Sequence, residues 1–369
     1  MKASLSLFLF VWLLCACAPQ EKPEGPRIPV DLEAQNEVSI FDLCSSIQLI
    51  PLETTDASLL RTIRKIETFN GNYYLLDDRG EKILVFNETG RFLFAIDDAG
   101  SGPNQYADAS DFQVNPANGE ITLLSAPDHA LFIYNANGAF LRKHKLPLDV
   151  GCQAFQALNA DTLAFFTSDR SALIKCYSLS QVRMLSESYT EPEGDIFCRY
   201  PFQVRGALCR GLSNTVYSLA DAGLSPRYSW DFGTLNNDLS SLPVPKSPAE
   251  IMRFTRDAYE SRSVHYVFTG HGENSRYRYA WLIRNGRSLH LFANRQTSDI
   301  RLFEQTIEGV ALAPLCFDEE AMLCTNEEID LDQLLPESLR TTEQREQIAR
   351  LMEEDNFVIV RYNFPHPPR

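Results

Sequence analysis

The densest group of side chains able to do chemistry lies in HYVFTGHGENSRYRYAW, residues 265–281. It holds His265, Tyr266, His271, Glu273, Arg276, Tyr277, Tyr279 and Trp281. Aromatic faces stack on sugar rings, and guanidinium groups and imidazoles fix hydroxyl or carboxylate oxygens. Tyr266, His271, Arg276, Tyr277, Tyr279 and Trp281 are therefore the candidate ligand-binding residues. The alternation Tyr277-Arg278-Tyr279-Ala280-Trp281 also suits a plain strand with an exposed loop. A second group is acidic: Asp318, Glu319, Glu320, Glu327, Glu328, Asp330 and Asp332. Its spacing matches no calcium loop, and a solvated acidic face is the reading adopted. The six histidines, at 129, 144, 265, 271, 290 and 366, are scattered, and only His265 and His271 are near neighbours.

The familiar catalytic signatures are missing. There is no G-x-S-x-G, phosphate-binding GxxxxGK[ST], H-E-x-x-H, EF-hand loop or zinc-type cysteine spacing. No catalytic residue is assigned, and no metal or cofactor is expected. A formal charge of −15 disfavours nucleic acid as a partner, because such a surface repels phosphate backbones.

The elements that must position these residues are strands. From residue 45 short apolar or alternating runs follow one another (SIQLIPL, TIRKIETF, NYYLLD, KILVFN, RFLFAI), each bounded by Gly, Asn or Asp. They recur. NGNYYLLD (70–77) precedes NGEITLLS (118–125) by 48 positions, and ILVFNETGRFL (83–93) precedes LFIYNANGAFL (131–141) by the same offset. In each, an aromatic-Asn-x-x-Gly turn closes a hairpin: Phe86-Asn87 to Gly90, and Tyr134-Asn135 to Gly138. Looser units follow at 158–181, 213–233, 264–292 and 310–329, and NFVIVRYNF (357–364) is one more strand. A multi-strand unit of this length cannot bury both faces alone and must stack on its neighbours, as in a β-propeller. The count favours an all-β, six-bladed propeller of four-stranded antiparallel blades. Ring closure requires the last strand and residues 45–52 to share or adjoin a blade. One helix is expected late, in TTEQREQIARLMEED (341–355), with Thr341 and Gln344 in capping-box positions and Ile348, Leu351 and Met352 as its apolar face.

The N-terminus reads as an export leader. Lys2 is the positive region, and Leu5 to Leu14 is an apolar run too short to span a bilayer. Leu14-Cys15-Ala16-Cys17 resembles a bacterial lipobox, which implies cleavage after residue 16 and diacylation of Cys17. The expected organisation is a signal peptide at 1–16, a lipidated tether at 17–36 rich in proline and charge, and a single propeller domain at 37–369. Seven cysteines remain beyond the leader and Cys17, and Cys316 with Cys324 and Cys198 with Cys209 are the pairs most suited to bridging a hairpin.

GSGPNQYADASDFQVNPANGEITLLSAPDHALFIYNANGAFL (100–141) resembles an NHL-type propeller repeat. Gly100, Gly102, Pro103, Gln105 and Tyr106 match its loop, and Asn118-Gly119 and Asn137-Gly138 match its turns; Asn104 stands where a glycine is usual. IPLETTDASLL (50–60), NTVYSLADAGLSPRYSWDFG (214–233) and LMEEDNFVIVRYNF (351–364) extend the resemblance, over residues 40–364, to the six-bladed propeller lipoproteins of Gram-negative gut anaerobes. The resemblance implies a fold and an envelope address, with the outer membrane favoured by Ala18 after Cys17. It carries over no catalytic or binding residue. The expected function is a binding or scaffold module, held at the bilayer through lipidated Cys17, for a glycan, a peptide or an envelope protein. The alternatives are a funnel enzyme (a lyase, lactonase or glycan hydrolase) and a subunit of an envelope complex.

Overall fold

In a computed structural model, which describes residues 25–365 except 78–80, 170, 189–200, 221–222, 244, 328 and 353–354, the strands form six four-stranded sheets arranged in a ring. Two strands come from the N-terminal segment, β1 (Arg27–Pro29) and β2 (Ser46–Pro51). Blade one is β3 (Lys65–Phe69), β4 (Asn72–Asp77), β5 (Lys82–Phe86) and β6 (Phe92–Ile96). Blade two is β7 (Asp111–Val114), β8 (Ile121–Ser125), β9 (Ala130–Tyr134) and β10 (Phe140–Lys145). Blade three is β11 (Cys152–Ala157), β12 (Thr162–Thr167), β13 (Ile174–Ser178) and β14 (Arg183–Ser188). Blade four joins β15 (Ala207–Leu208), β16 (Thr215–Ala220) and β17 (Gly223–Asp231) to β1. After helix α1 (Pro248–Tyr259), blade five is β18 (Val267–Glu273), β19 (Tyr277–Arg284), β20 (Arg287–Asn294) and β21 (Ile300–Phe303). Blade six is β22 (Cys316–Phe317), β23 (Ala321–Thr325) and β24 (Val358–Asn363) with β2 as its outer strand. Helices α2 (Leu331–Leu334) and α3 (Thr342–Ile348) sit between β23 and β24.

The composition of each strand follows from its place in the blade. Second and third strands are covered by the blades on both sides, so ALFIY, IKCYS and AMLCT are buried at every position. Outer strands meet water, so FLRKHK and RMLSES are partly exposed and carry charge. The apolar side chains gather into six inter-blade cores. Tyr74, Val85, Phe112 and Phe132 join blades one and two; Ile50, Leu75, Leu84 and Leu323 join blades six and one. The ring closes where β24 pairs with β2, Leu49 opposite Val360, so the first and last strands share a blade as expected.

The repeated hairpins use one device. Asn87 Oδ1 accepts the N–H groups of Thr89 and Arg91, and Asn135 Oδ1 those of Asn137 and Ala139, all at 2.8–3.0 Å with the Thr89 hydroxyl included. Gly90 and Gly138 supply φ of +83° and +79°. The Gly100–Tyr106 loop is a staple. Gln105 Oε1 accepts the Gly102 N–H at 2.7 Å, and buried Tyr106 places its hydroxyl 2.9 Å and 3.1 Å from the carbonyls of Glu81 and Ile96.

Four features differ from or add to the sequence reading. The expected tether does not run to residue 36: Arg27–Pro29 pairs in parallel with Ser229–Asp231, and Val30 and Leu32 are buried. The polar, proline-rich composition of that segment hides a strand whose hydrogen bonds come from a distant edge. Helix α1, with Ser247 as N-cap and Pro248 at its first turn, buries Phe254 and Ala258 against Leu212 and Val267. Helix α3 has the expected capping box and docks through Gln344 Nε2 to the carbonyl of Ile47 at 3.0 Å, but Met352 of its predicted apolar face is exposed. Cys316 and Cys324 form no disulfide, because Cys316 pairs with Leu323 and Cys324 is therefore one residue out of register, facing a different core. Cys198 lies outside the described residues, as do Cys17 and the leader.

Candidate functional site in the central cavity

The inner strands β3, β7, β11, β18 and β22, with the segment leading into β15, surround a cavity of about 590 Å³. Every blade contributes to its wall: Glu67, Gln113, Gln156, Gln203, His271 and Asp318 are representatives. That volume is ordinary for a small-molecule site.

The wall is tied together by a belt of side-chain acceptors. Glu67 Oε2 accepts the Val114 N–H at 2.7 Å, Gln113 Oε1 the Ala157 N–H at 2.7 Å, and Gln156 Oε1 the Gly206 N–H at 2.6 Å. Gln203 Oε1 accepts the His271 N–H in turn. Asn274 Nδ2 donates to the Asp318 carbonyl at 3.0 Å, and Asp318 Oδ2 accepts the Thr68 hydroxyl at 2.7 Å, which returns the belt to blade one. Each bond satisfies an inner-strand group that faces the neighbouring blade. The sequence carries this signal, and the strand-pattern reading missed it: Phe112-Gln113, Phe155-Gln156 and Phe202-Gln203 recur at blade spacing.

Blade five opens the wall. Its inner strand contains Thr269-Gly270-His271-Gly272-Glu273. Lacking a side chain at Gly270, it leaves Trp281 of the second strand at the cavity; a Cβ there would sit 3.4 Å from Trp281 Cβ and 3.5 Å from its ring. The indole Nε1 donates to Ser288 Oγ at 2.7 Å, which fixes the ring. At Gly272 the Phe317 ring takes the vacant space, with Cγ 2.4 Å from where a Cβ would be.

Between these glycines His271 is 5 % exposed. Burial pushes its pKa down to about 3, so the imidazole is neutral. Its ring centre is 4.7 Å from that of Phe268, and Nδ1 has no hydrogen-bond partner among the described residues. Several charged groups of the wall are engaged. Lys65 Nζ lies 3.0 Å from both Asp111 and Glu67. Asp318 Oδ1 accepts the N–H groups of Glu320 and Ala321 at 2.8 Å. Arg361 pairs with Glu320 at 2.8 Å. Glu273, its carboxylate only 3 % exposed, faces Arg227, Arg295 and Arg278 at 2.9, 3.2 and 3.6 Å.

Of the six residues singled out from sequence, His271 and Trp281 share the cavity. Tyr266 is fully buried between blades four and five, 4.6 Å from Phe232. Tyr277 and Tyr279 belong to the blade five–six core, where Tyr279 Oη lies 2.9 Å from His290 Nδ1. Arg276 sits in the hairpin turn, its carbonyl accepting the Arg295 N–H at 2.7 Å. Of the acidic run, Asp318, Glu319 and Glu320 reach the cavity. Glu327 instead accepts the Ile63 N–H at 2.8 Å, Asp332 pairs with Arg340, and Glu328 lies outside the described residues. Among the described residues no three His, Cys, Asp or Glu side chains converge as a metal site, and no helix is long and apolar enough to cross a membrane.

Residues 26–363 match the family described as domain of unknown function (DUF4934). No curated protein sequence matches the chain. Among solved structures, an exported protein of Bacteroides fragilis superposes with a TM-score of 0.68 at 15 % identity, covering 92 % of this chain and 100 % of its own. A DUF4221-family member from Bacteroides vulgatus gives 0.49 at 11 %, covering 89 % and 98 %. A virginiamycin B lyase from Staphylococcus aureus gives 0.39 at 11 %, covering 85 % and 99 %. The first likeness establishes a shared fold and nothing finer.

Proposed function

We propose that this chain, which belongs to the DUF4934 family, is an exported lipoprotein. In this reading diacylated Cys17 holds the propeller at the outer membrane, and the central cavity binds a glycan. The observation that carries the ligand class is Trp281, an indole fixed by Ser288 and bared to the cavity by Gly270. A rigid aromatic face beside fixed polar groups is the usual arrangement for a sugar ring, whose C–H face stacks while its hydroxyls find donors and acceptors. Neutral His271 with an unused ring nitrogen, and the Nε2 groups of Gln113 and Gln156, whose Oε1 atoms serve the belt, supply such groups. The leader, the lipobox-like Leu14–Cys17 and the exported Bacteroides fragilis relative support the address.

Binding is favoured over catalysis because the carboxylates of the wall are committed to backbone N–H groups or cations, as Glu67, Glu273 and Asp318 illustrate. A general acid or base needs a free proton position within reach of substrate. Titration calorimetry against oligosaccharides tests the reading. Binding by the native chain that Trp281→Ala abolishes is the expected result. Absence of binding to any glycan, with binding instead to a short peptide, would replace it. Loss of membrane association and of lipid labelling in Cys17→Ala is the expected result for the anchor.

A further inference from the structure

We infer that the wall between blades four and five is a subsite for an acid group, so that the preferred ligand is an anionic sugar carrying a carboxylate or a sulfate; this rests on the glycan reading of the cavity. Three guanidinium groups surround the single carboxylate of Glu273. Arg227 comes from blade four, and Arg278 and Arg295 come from blade five. Three cations on one anion leave a surplus of two positive charges, in a chain whose formal charge is −15. Glu273 is 3 % exposed, and its nearest cation is Arg227 Nε at 2.9 Å, an ion pair without hydrogen-bond alignment. The three arginines carry more charge than one carboxylate neutralises and repel one another, which a bound anion relieves.

The cluster is next to the cavity. Glu273 and Arg205 both line it, and Arg227 Nη1 donates to the Arg205 carbonyl at 3.2 Å. The three side chains keep 30, 20 and 35 % of their surface in solvent, so N–H groups remain for a ligand. They are also held in place, as preorganised anion recognition requires. Arg278 lies 4.4 Å from the ring centre of Tyr228, and Arg295 Nη1 donates to the Asn274 carbonyl at 2.5 Å. Glu319 of blade six accepts the Ser275 N–H at 2.9 Å, so that acid is committed to the tip of the β18–β19 hairpin. The Tyr228 hydroxyl and His271 Nδ1, two residues before Glu273, lack a hydrogen-bond partner among the described residues, as do the Glu273 carboxylate oxygens and Arg278 Nε within the cluster. Tyr228 and His271 are more than nine-tenths buried, and His271 faces the cavity. An acidic sugar in the cavity would place its acid group on the Glu273 side of the wall, toward the arginines.

The test uses the native chain, Arg278→Gln and Arg295→Gln, with four probes: a galacturonate trisaccharide, its neutral galactose counterpart, a sulfated disaccharide and sodium sulfate alone. Calorimetry is expected to give binding of an acidic sugar roughly tenfold tighter than the neutral one, weakening as sodium chloride rises. Preference for the uronate or for the sulfated sugar identifies the acid group. Either substitution is expected to remove the preference while leaving neutral-sugar binding in place. Equal affinity for acidic and neutral sugars, or a preference untouched by both substitutions, overturns the inference and leaves the glycan reading standing. Thermal protection by sulfate that both variants lose, with no sugar bound, keeps the anion subsite and removes the glycan reading. Silence toward all four probes removes both. Arg295→Gln, on the most exposed of the three side chains, serves if Arg278→Gln does not fold.

Discussion

The amide oxygen of Gln113 accepts the backbone N–H of Ala157 at 2.7 Å, across the gap between blades two and three. The same contact joins Gln156 to Gly206, so successive blades are fastened at the cavity wall by side chains as well as by apolar packing. Gln156→Ala leaves the Gly206 N–H without its acceptor beside a buried wall. A loss of about 1–3 kcal/mol is expected, read as a lower urea midpoint with an unchanged slope. An unmoved midpoint would show that the belt adds nothing to stability.

Acid should destabilise the fold well above the carboxylate range. His271 and His290 are both buried, and burial lowers each pKa from the usual 6.5 to about 3. The folded state excludes protons that the unfolded state takes up. Stability is therefore complete above pH 6.5 and falls as pH drops from there toward 3. At pH 5 the loss is roughly 2 kcal/mol per histidine. The carboxylates held low, such as Asp169 at about 2 through its Ser171 and Lys175 hydrogen bonds, begin to act only below about pH 4, under the pH 5 of the comparison. Urea titrations at pH 7.5 and pH 5 check this, and His271→Gln should remove about half the difference. Equal midpoints at the two pH values would rule it out.

Gly270 and Gly272 separate ligand access from packing. Alanine at 270 makes ordinary contact with Trp281 and should fold normally while shielding the indole, weakening sugar binding by roughly tenfold. Alanine at 272 meets the Phe317 ring at 2.4 Å and should cost about 1–3 kcal/mol in thermal stability. Parallel binding and melting measurements on the two variants decide the matter. Full binding by Gly270→Ala would detach Trp281 from the site.

Asn356 closes the ring from the far side. Its Nδ2 donates to the carbonyls of Glu53 and Ser58 at 2.7 and 2.9 Å, and its Oδ1 accepts the Leu60 N–H at 2.8 Å, the last two bonds buried and the first partly so. Asn356→Ala strands three backbone groups at once. A fall of about 2–4 kcal/mol in unfolding free energy is expected, against well under 1 for alanine at exposed Glu346. Similar midpoints for the two variants would contradict this assignment.

The blades were legible because their middle strands are buried on both faces. A run such as ALFIY has few other uses, and an Asn-x-x-Gly turn fixes its own geometry. The pairing of residues 46–51 with the last strand followed from the need to close a ring. What stayed hidden depends on contacts distant in sequence. Tyr266, Tyr277 and Tyr279 carry the same side chain a sugar platform would use, and only the identity of the neighbouring blade shows that they are core. Trp281 differs from them because a glycine on the adjacent strand uncovers it. Strand β1 was invisible for a related reason: RIP has no pattern of its own and becomes a strand by pairing with Ser229–Asp231. The Glu273 cluster draws its cations from Arg227, Arg278 and Arg295, whose proximity no sequence spacing announces.

The N-terminal segment passes along three blades in succession. Ile28 pairs with Trp230 in blade four, Asn36 exchanges hydrogen bonds with Leu302 in blade five, and Leu49 pairs with Val360 in blade six. The earliest residues to be synthesised thus need partners that are among the last. They wait unpaired while the inner strands of blades one to three find neighbours made moments before. Assembly of the outer rim waits on strands far along the chain, and closing such long loops slows it. A chain truncated before β24 would leave Ser46–Pro51 as a bare apolar edge, the kind of surface on which quality-control proteases and aggregation compete.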